Sequence, residues 1–191
     1  MVRVAMGGLM QLPPDLPVPV DDGAADHLAG MRMPHVVLTS TNGRQVDVGD
    51  LGRGRTVLYL YPRTGRPDRD VPAGWDEIPG ARGCTPESCA FRDHFGELAA
   101  LGADVFGLST QDTDYQREAV DRLHLPFAIL SDAELELARA LSLPTFEVAG
   151  VTLLKRMVLI IDDGVITKAF YPVFPPDESA AVVTRWLHAS R

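Results

Sequence analysis

Lysine is almost missing from this 191-residue chain: Lys155 and Lys168 are the only two. With a formal net charge of −8 and no basic run, the chain carries no electrostatic footprint for nucleic acid or for an anionic membrane surface. No apolar run reaches the roughly 18 residues that a membrane-spanning helix needs. The opening stretch from Met1 to Gln11 is too short and broken to read as a secretory signal. Cysteine is equally scarce. Cys84 and Cys89 are the only two, too few for a disulfide framework. The histidines His27, His35, His94, His124 and His188 are scattered and supply no matching pair for a zinc site, so no metal and no cofactor is expected. These absences point to a cytoplasmic protein, in which two thiols suit catalysis or sensing better than a structural staple; the sequence does not decide between monomer and homodimer.

What is present is a globular composition, 46% hydrophobic, and one unusual segment. Both cysteines lie in Gly83 to Asp93, five positions apart. Thr85 suits an N-cap and Pro86 a first helical position. Phe91, Phe95, Leu98 and Leu101 then recur at a helical period until Gly102 ends the run. Cys84 therefore sits at or just before a helix N-terminus, where backbone N–H groups and the dipole favour a thiolate. In an intact helix, residues five apart have Cα atoms about 8.7 Å apart, from helical rise and radius. A disulfide needs about 7 Å or less. Spacing alone leaves two readings: a redox pair that closes only when the first turns unravel, and two ordinary cysteines, the second buried on the helix.

Around this segment the chain reads as alternating strands and helices. Residues 1–33 are rich in Pro and Gly and form an N-terminal arm, with a short helix expected around Asp26 to Gly30. His35–Ser40 and Gln45–Val48 flank an Asn42-Gly43 turn as a hairpin. Thr56–Tyr61 is a buried central strand ending at Pro62. A long loop follows, in which Trp75 and Ile78 are expected to pack, with Trp75 either a lid or an anchor. After the cysteine helix come a strand at Ala103–Ser109, a helix at Thr113–Leu123, a strand at Phe127–Leu130 and a helix capped by Asp132. Residues 142–152 read as loop. Leu153–Ile161 and Val165–Tyr171 pair through Asp162-Asp163-Gly164, and a last helix runs from Asp177 to Leu187. This order describes an α/β domain over residues 34–191 with a mixed central sheet flanked by helices, in the thioredoxin-like manner.

On these residues the chain resembles the peroxiredoxins (AhpC/TSA-like), and most of all the peroxiredoxin Q or bacterioferritin-comigratory type. Tyr59-Leu60-Tyr61-Pro62 is similar to that family's strand before the active site, and Gly83 to Asp93 to its catalytic helix. Asp104 to Ser109, Ile129 to Asp132 and Arg156 to Asp162 match its later landmarks in order. The resemblance implies a thiol-dependent peroxidase for hydrogen peroxide or organic hydroperoxides, recycled by thioredoxin or a similar dithiol donor. It implies Cys84 as peroxidatic cysteine, Cys89 as resolving cysteine forming a disulfide with it, Arg156 beside the thiolate, and Pro62 as the proline that shields the site.

One departure stands out. The family motif is Pro-x-x-x-Thr-x-x-Cys, but Ala81 occupies the threonine position and an insertion of about residues 65–82 separates Pro62 from Cys84. Thr64, folding back, is the candidate to replace the threonine, and Thr85 is a second. The altered motif keeps a rival open: a non-enzymatic redox sensor or interaction module on the same fold. A thiol–disulfide oxidoreductase fits less well, because the spacing is not Cys-x-x-Cys.

Overall fold

The computed structural model describes residues 7–51 and 54–190; residues 1–6 of the expected arm, residues 52–53 and Arg191 lie outside them. The strands are β1 (Val37–Ser40), β2 (Gln45–Asp47), β3 (Arg55–Leu60), β4 (Ala103–Ser109), β5 (Ile129–Ser131), β6 (Thr145–Val148), β7 (Val151–Leu154), β8 (Met157–Asp162) and β9 (Val165–Phe170). The helices are α1 (Gly7–Met10), α2 (Cys84–Asp93), α3 (Phe95–Ala100), α4 (Thr113–Leu123), α5 (Glu136–Ala140) and α6 (Ser179–Ala189).

Seven strands form one sheet in the order β2-β1-β5-β4-β3-β8-β9. β3, β4 and β5 run parallel, and β8 lies antiparallel to β3, so the sheet is mixed as expected. Period-two alternation along β3 divides the core. Val57, Tyr59 and Tyr61 face one layer with Phe91, Leu98 and Val183, whereas Leu58 and Leu60 face the other with Leu28, Leu137 and Leu159. Both layers are packed, which is why β3 reads as a continuous apolar run rather than an alternating one. Tyr59 stacks on Phe91 with centroids 4.5 Å apart, tying α2 to the strand beneath it.

Four expectations change. The single helix through Leu101 breaks at His94, whose N–H and ring Nδ1 both engage the Ala90 carbonyl, at 3.0 and 2.9 Å. A side chain competing for a helix carbonyl ends the ladder there. The strand from Leu153 splits at Lys155 and Arg156, because β7 pairs with β6 in a separate hairpin while β8 joins the main sheet. That hairpin lies in the stretch read as loop. Its turn residues, Ala149 and Gly150, both have left-handed backbones, as a tight two-residue connection demands. Asp26 to Gly30 form successive turns between Gly23 and Gly30, both at positive φ, instead of a helix.

The N-terminal segment packs closely on the rest. Gly30 N–H donates to Ile166, Ile166 N–H to Met31, and Met33 N–H to Gly164, each at 2.8 Å, so residues 30–33 run along the sheet edge beside β9. Asp22 accepts from Lys155 Nζ and the Tyr171 hydroxyl, both at 2.7 Å.

Candidate active site

Cys84 is the first residue of α2, and the backbone in front of it explains why. Gly83 takes φ +106, a conformation that only glycine adopts at ease. A Cβ there would also overlap Pro176 and lie 3.0 Å from Leu12. Thr85 and Pro86 therefore fall inside the first turn, two positions further in than the sequence suggested. Proline is harmless at that point, since first-turn N–H groups lack helical partners. The main sheet brings the remaining pieces together. β3 pairs with β8 in the register Leu60↔Met157, so the chain just after β3, where Pro62 lies buried, and the residue just before β8, Arg156, reach the same sheet end over α2.

Arg156 is 3% exposed and its guanidinium is shared among several acceptors. Nη2 lies 3.2 Å from Cys84 Sγ and donates to the carbonyls of Gly80, Ala81 and Arg82 at 3.2, 3.3 and 3.1 Å. Nη1 donates to the fully buried carboxylate of Glu87. Glu87 Oε1 and Arg156 Nε are buried without hydrogen-bond partners among the described residues. The Cys84 thiol donates to the Ala81 carbonyl at 3.6 Å.

The electrostatics differ from the helix-terminus expectation. Burial pushes the Cys84 thiol above its ordinary value. Arg156 opposes this through its charge and its hydrogen bond, the Arg63 backbone N–H opposes it by hydrogen bonding, and the Glu87 charge reinforces it. Burial also pushes Glu87 up to about 7 against the pull of Arg156. Cys84 and Glu87 thus compete for one guanidinium inside a buried site. The sequence reading missed Glu87. Its signal was an acid one helical turn after the cysteine, at a helix start.

Cys89 lies on the same unbroken helix, buried, with Sγ 4.0 Å from Met10 Sδ. Both thiols are free, and α2 is whole between them. α1 rests on this region: Leu9 packs where a Gly65 side chain would go, and Leu12 stands over Gly83.

The inserted loop has a partner of its own. Trp75 and Ala81 bury against Leu153, with Val71, Ile78, Phe146 and Val148 around them. Trp75 and Phe146 rings lie 6.3 Å apart. The insertion therefore packs on the β6–β7 hairpin, and Trp75 anchors it while also lining the pocket in front of Cys84. Arg82 lines that pocket too and pairs with Asp76 at 3.0 Å.

Thr64 hydrogen-bonds to Gln111 and Tyr115. Its N–H donates to Gln111 Oε1 at 2.9 Å, its hydroxyl reaches the same oxygen at 3.3 Å, and its carbonyl accepts from the Tyr115 hydroxyl at 3.1 Å. The residue is fully buried by these bonds. Neither Gln111 nor Tyr115 was legible as a site residue, because both approach from β4–α4, far along the chain.

A family model described as Redoxin matches residues 28–184. A chloroplastic peroxiredoxin Q from Oryza sativa subsp. japonica is 29% identical over 150 residues, covering 78% of this chain and 61% of that protein. A bcp-type peroxiredoxin of Coxiella burnetii is 30% identical over 105 residues, covering 55% of this chain and 60% of that one. The chain thus spans about three fifths of the length of these relatives. Among solved structures, peroxidoxin BcpB from Mycobacterium tuberculosis superposes with a TM-score of 0.69 at 25% identity, over 85% of this chain and 97% of that one. The Xanthomonas campestris bacterioferritin comigratory protein, studied for alkyl peroxide reduction, has the same fold: TM-score 0.64 at 19% identity, over 92% of this chain and 99% of that one. With a thioredoxin-like sheet, a cysteine opening the helix over its end and an arginine beside the sulfur, the chain belongs to the Redoxin family and is a peroxiredoxin of the Q, or bacterioferritin-comigratory, type.

Proposed function

We propose that the chain is a thiol-dependent peroxidase of the intramolecular two-cysteine kind. The observation that carries this is Arg156 Nη2 at 3.2 Å from Cys84 Sγ, at the first residue of a helix. A buried cation and a helix N-terminus both favour sulfur carrying charge, and the thiolate is the nucleophile. Glu87 gives a route to it. With Arg156 between them, the site holds one negative charge on either Cys84 or Glu87. Moving the proton from sulfur to carboxylate leaves the three groups neutral overall, and a carboxyl raised to about 7 accepts that proton more readily than an ordinary carboxylate does.

The thiolate attacks one peroxide oxygen. A sulfur–oxygen bond forms, the oxygen–oxygen bond breaks, and the departing oxygen takes the bond pair and a proton to leave as water or an alcohol. Cys84 becomes a sulfenic acid. Cys89 then condenses with it, releasing water and forming a disulfide. A dithiol donor of the thioredoxin kind reduces that disulfide by exchange. Hydrogen peroxide and organic hydroperoxides are the proposed substrates, and the alkyl peroxide reduction studied in the Xanthomonas protein of the same fold supports the second class. Pro62, buried just after β3, shields the site from water. A cytoplasmic location is proposed on the two free thiols, which persist where the surroundings are reducing.

Steady-state peroxide consumption with thioredoxin, thioredoxin reductase and NADPH tests the proposal. Cys84→Ser abolishes turnover if the reading is right; full activity in that variant refutes it.

A further inference from the structure

One role in this site has no holder at the usual place. Ala81 stands where the family motif has a threonine, and a methyl group cannot hydrogen-bond a peroxide. Ala81 is buried against Trp75 and Leu153. Thr64 is committed through its N–H, hydroxyl and carbonyl to Gln111 and Tyr115.

The pocket in front of Cys84 is lined by Thr85, Arg63, Arg82 and Trp75 among others, and Thr85 carries the only hydroxyl in that lining. Thr85 is 3% exposed and follows Cys84 directly on that lining. Arg63 Nε, beside the same pocket, is buried and has no hydrogen-bond partner among the described residues. Buried polar groups are nearly always satisfied, so an open Arg63 Nε on the lining that also carries the Thr85 hydroxyl marks a place where a polar ligand completes it. The cavity is about 20 Å³, room for a single water or one peroxide oxygen.

We propose that the Thr85 hydroxyl takes over the work of the missing threonine, holding the peroxide in line with Cys84, with Arg63 Nε as the second donor. The proposal rests on the thiol-peroxidase reading above. The sulfur lone pair forms the new sulfur–oxygen bond, and the oxygen–oxygen pair departs with the distal oxygen. The Thr85 hydroxyl and Arg63 donate to that oxygen as its charge grows, before it takes a proton and leaves. Sulfur is oxidised by two electrons and the peroxide reduced by two. These donors act on the transition state and not on the thiol's own ionisation.

Stopped-flow oxidation of the full-length chain by hydrogen peroxide separates the possibilities, read together with the ultraviolet titration of the Cys84 thiolate and far-ultraviolet circular dichroism. Thr85→Val keeps the shape and loses the hydroxyl. It is expected to fold, to leave the thiol titration midpoint in place, and to slow oxidation by about a hundredfold, the loss from one transition-state donor. Thr85→Ser restores most of the rate. Wild-type speed in Thr85→Val overturns the proposal, as does a rate loss that serine fails to rescue or that an upward shift of the thiol midpoint explains. The reverse pattern, with Thr64→Val slow and Thr85→Val fast, assigns the role to Thr64 and equally overturns it. If the wild-type chain reacts no faster than a free thiol, the peroxidase reading itself falls, an outcome distinct from a fast wild type with a fast Thr85→Val.

Discussion

Arg156 holds Glu87 as firmly as it faces Cys84: one guanidinium arm donates to the buried carboxylate while the other lies 3.2 Å from the sulfur. A positive charge shared in this way stabilises a thiolate only to the extent that Glu87 gives it up. The carboxylate thus sets how reactive the cysteine is.

Glu87→Gln removes the competing charge and keeps an acceptor for Nη1. The Cys84 thiol is expected to titrate at lower pH than in the wild type, because the Glu87 charge is one of the influences that hold it up. Thiolate absorbance against pH checks this. An unchanged or higher midpoint contradicts the competition.

The same carboxyl makes stability depend on pH. Its ordinary value is 4.5 and its folded value about 7, so between these the folded chain binds the proton more tightly than the unfolded chain does. The stabilisation is fully present below about 4.5 and is lost as pH rises through 7. Chemical denaturation across that window shows falling stability in the wild type and a flatter profile in Glu87→Gln.

Arg156→Met leaves the Glu87 carboxylate buried without its cation and is expected to cost about 3–5 kcal/mol of stability. Adding Glu87→Gln removes the stranded charge. Urea titrations of the double variant recover most of that stability, while its rate of Cys84 oxidation stays low. Recovery of both places Arg156 outside the chemistry.

Gly83→Ala forces an alanine to φ +106 and drives its Cβ into Pro176. A misfit of this kind costs about 1–3 kcal/mol. Thermal unfolding reports the loss, and the thiol reacts faster with a bulky alkylating reagent as the start of α2 loosens.

Cys84 and Cys89 cannot bond while α2 is whole, and α1 with the residues after it helps to keep it so. Leu12→Ala removes a side chain that stands over Gly83. The variant is expected to close the disulfide faster after peroxide addition, followed by thiol-trapping mass spectrometry. Slower closure contradicts a clamping role.

Much of this was legible along the chain. β3, β4, α4 and the β8–β9 hairpin follow from local period and turn chemistry, and Cys84, with Arg156 beside it, followed from a motif carried in order. What was hidden depends on contacts between distant segments. The β6–β7 hairpin looked like loop because Pro144 and Gly150 are turn residues; its reason to exist is the Trp75 cluster supplied by the insertion. Thr64 was expected to fold back as the insertion loops out after Gly65; its bond to Gln111 joins segments 47 residues apart, which the local sequence does not announce. The thiolate expected from the helix N-terminus meets a burial penalty that sequence cannot register, since it arises from Arg63, Trp75 and Leu9 closing over the pocket.

The most direct test is the rate at which hydrogen peroxide oxidises Cys84 in the reduced wild-type chain at neutral pH, followed by stopped-flow tryptophan fluorescence with Cys84→Ser as control. The account predicts oxidation orders of magnitude faster than a free cysteine under the same conditions, with no fluorescence change in the control. A rate equal to that of free cysteine contradicts it and leaves the thiol as a slow sensor on a peroxiredoxin fold.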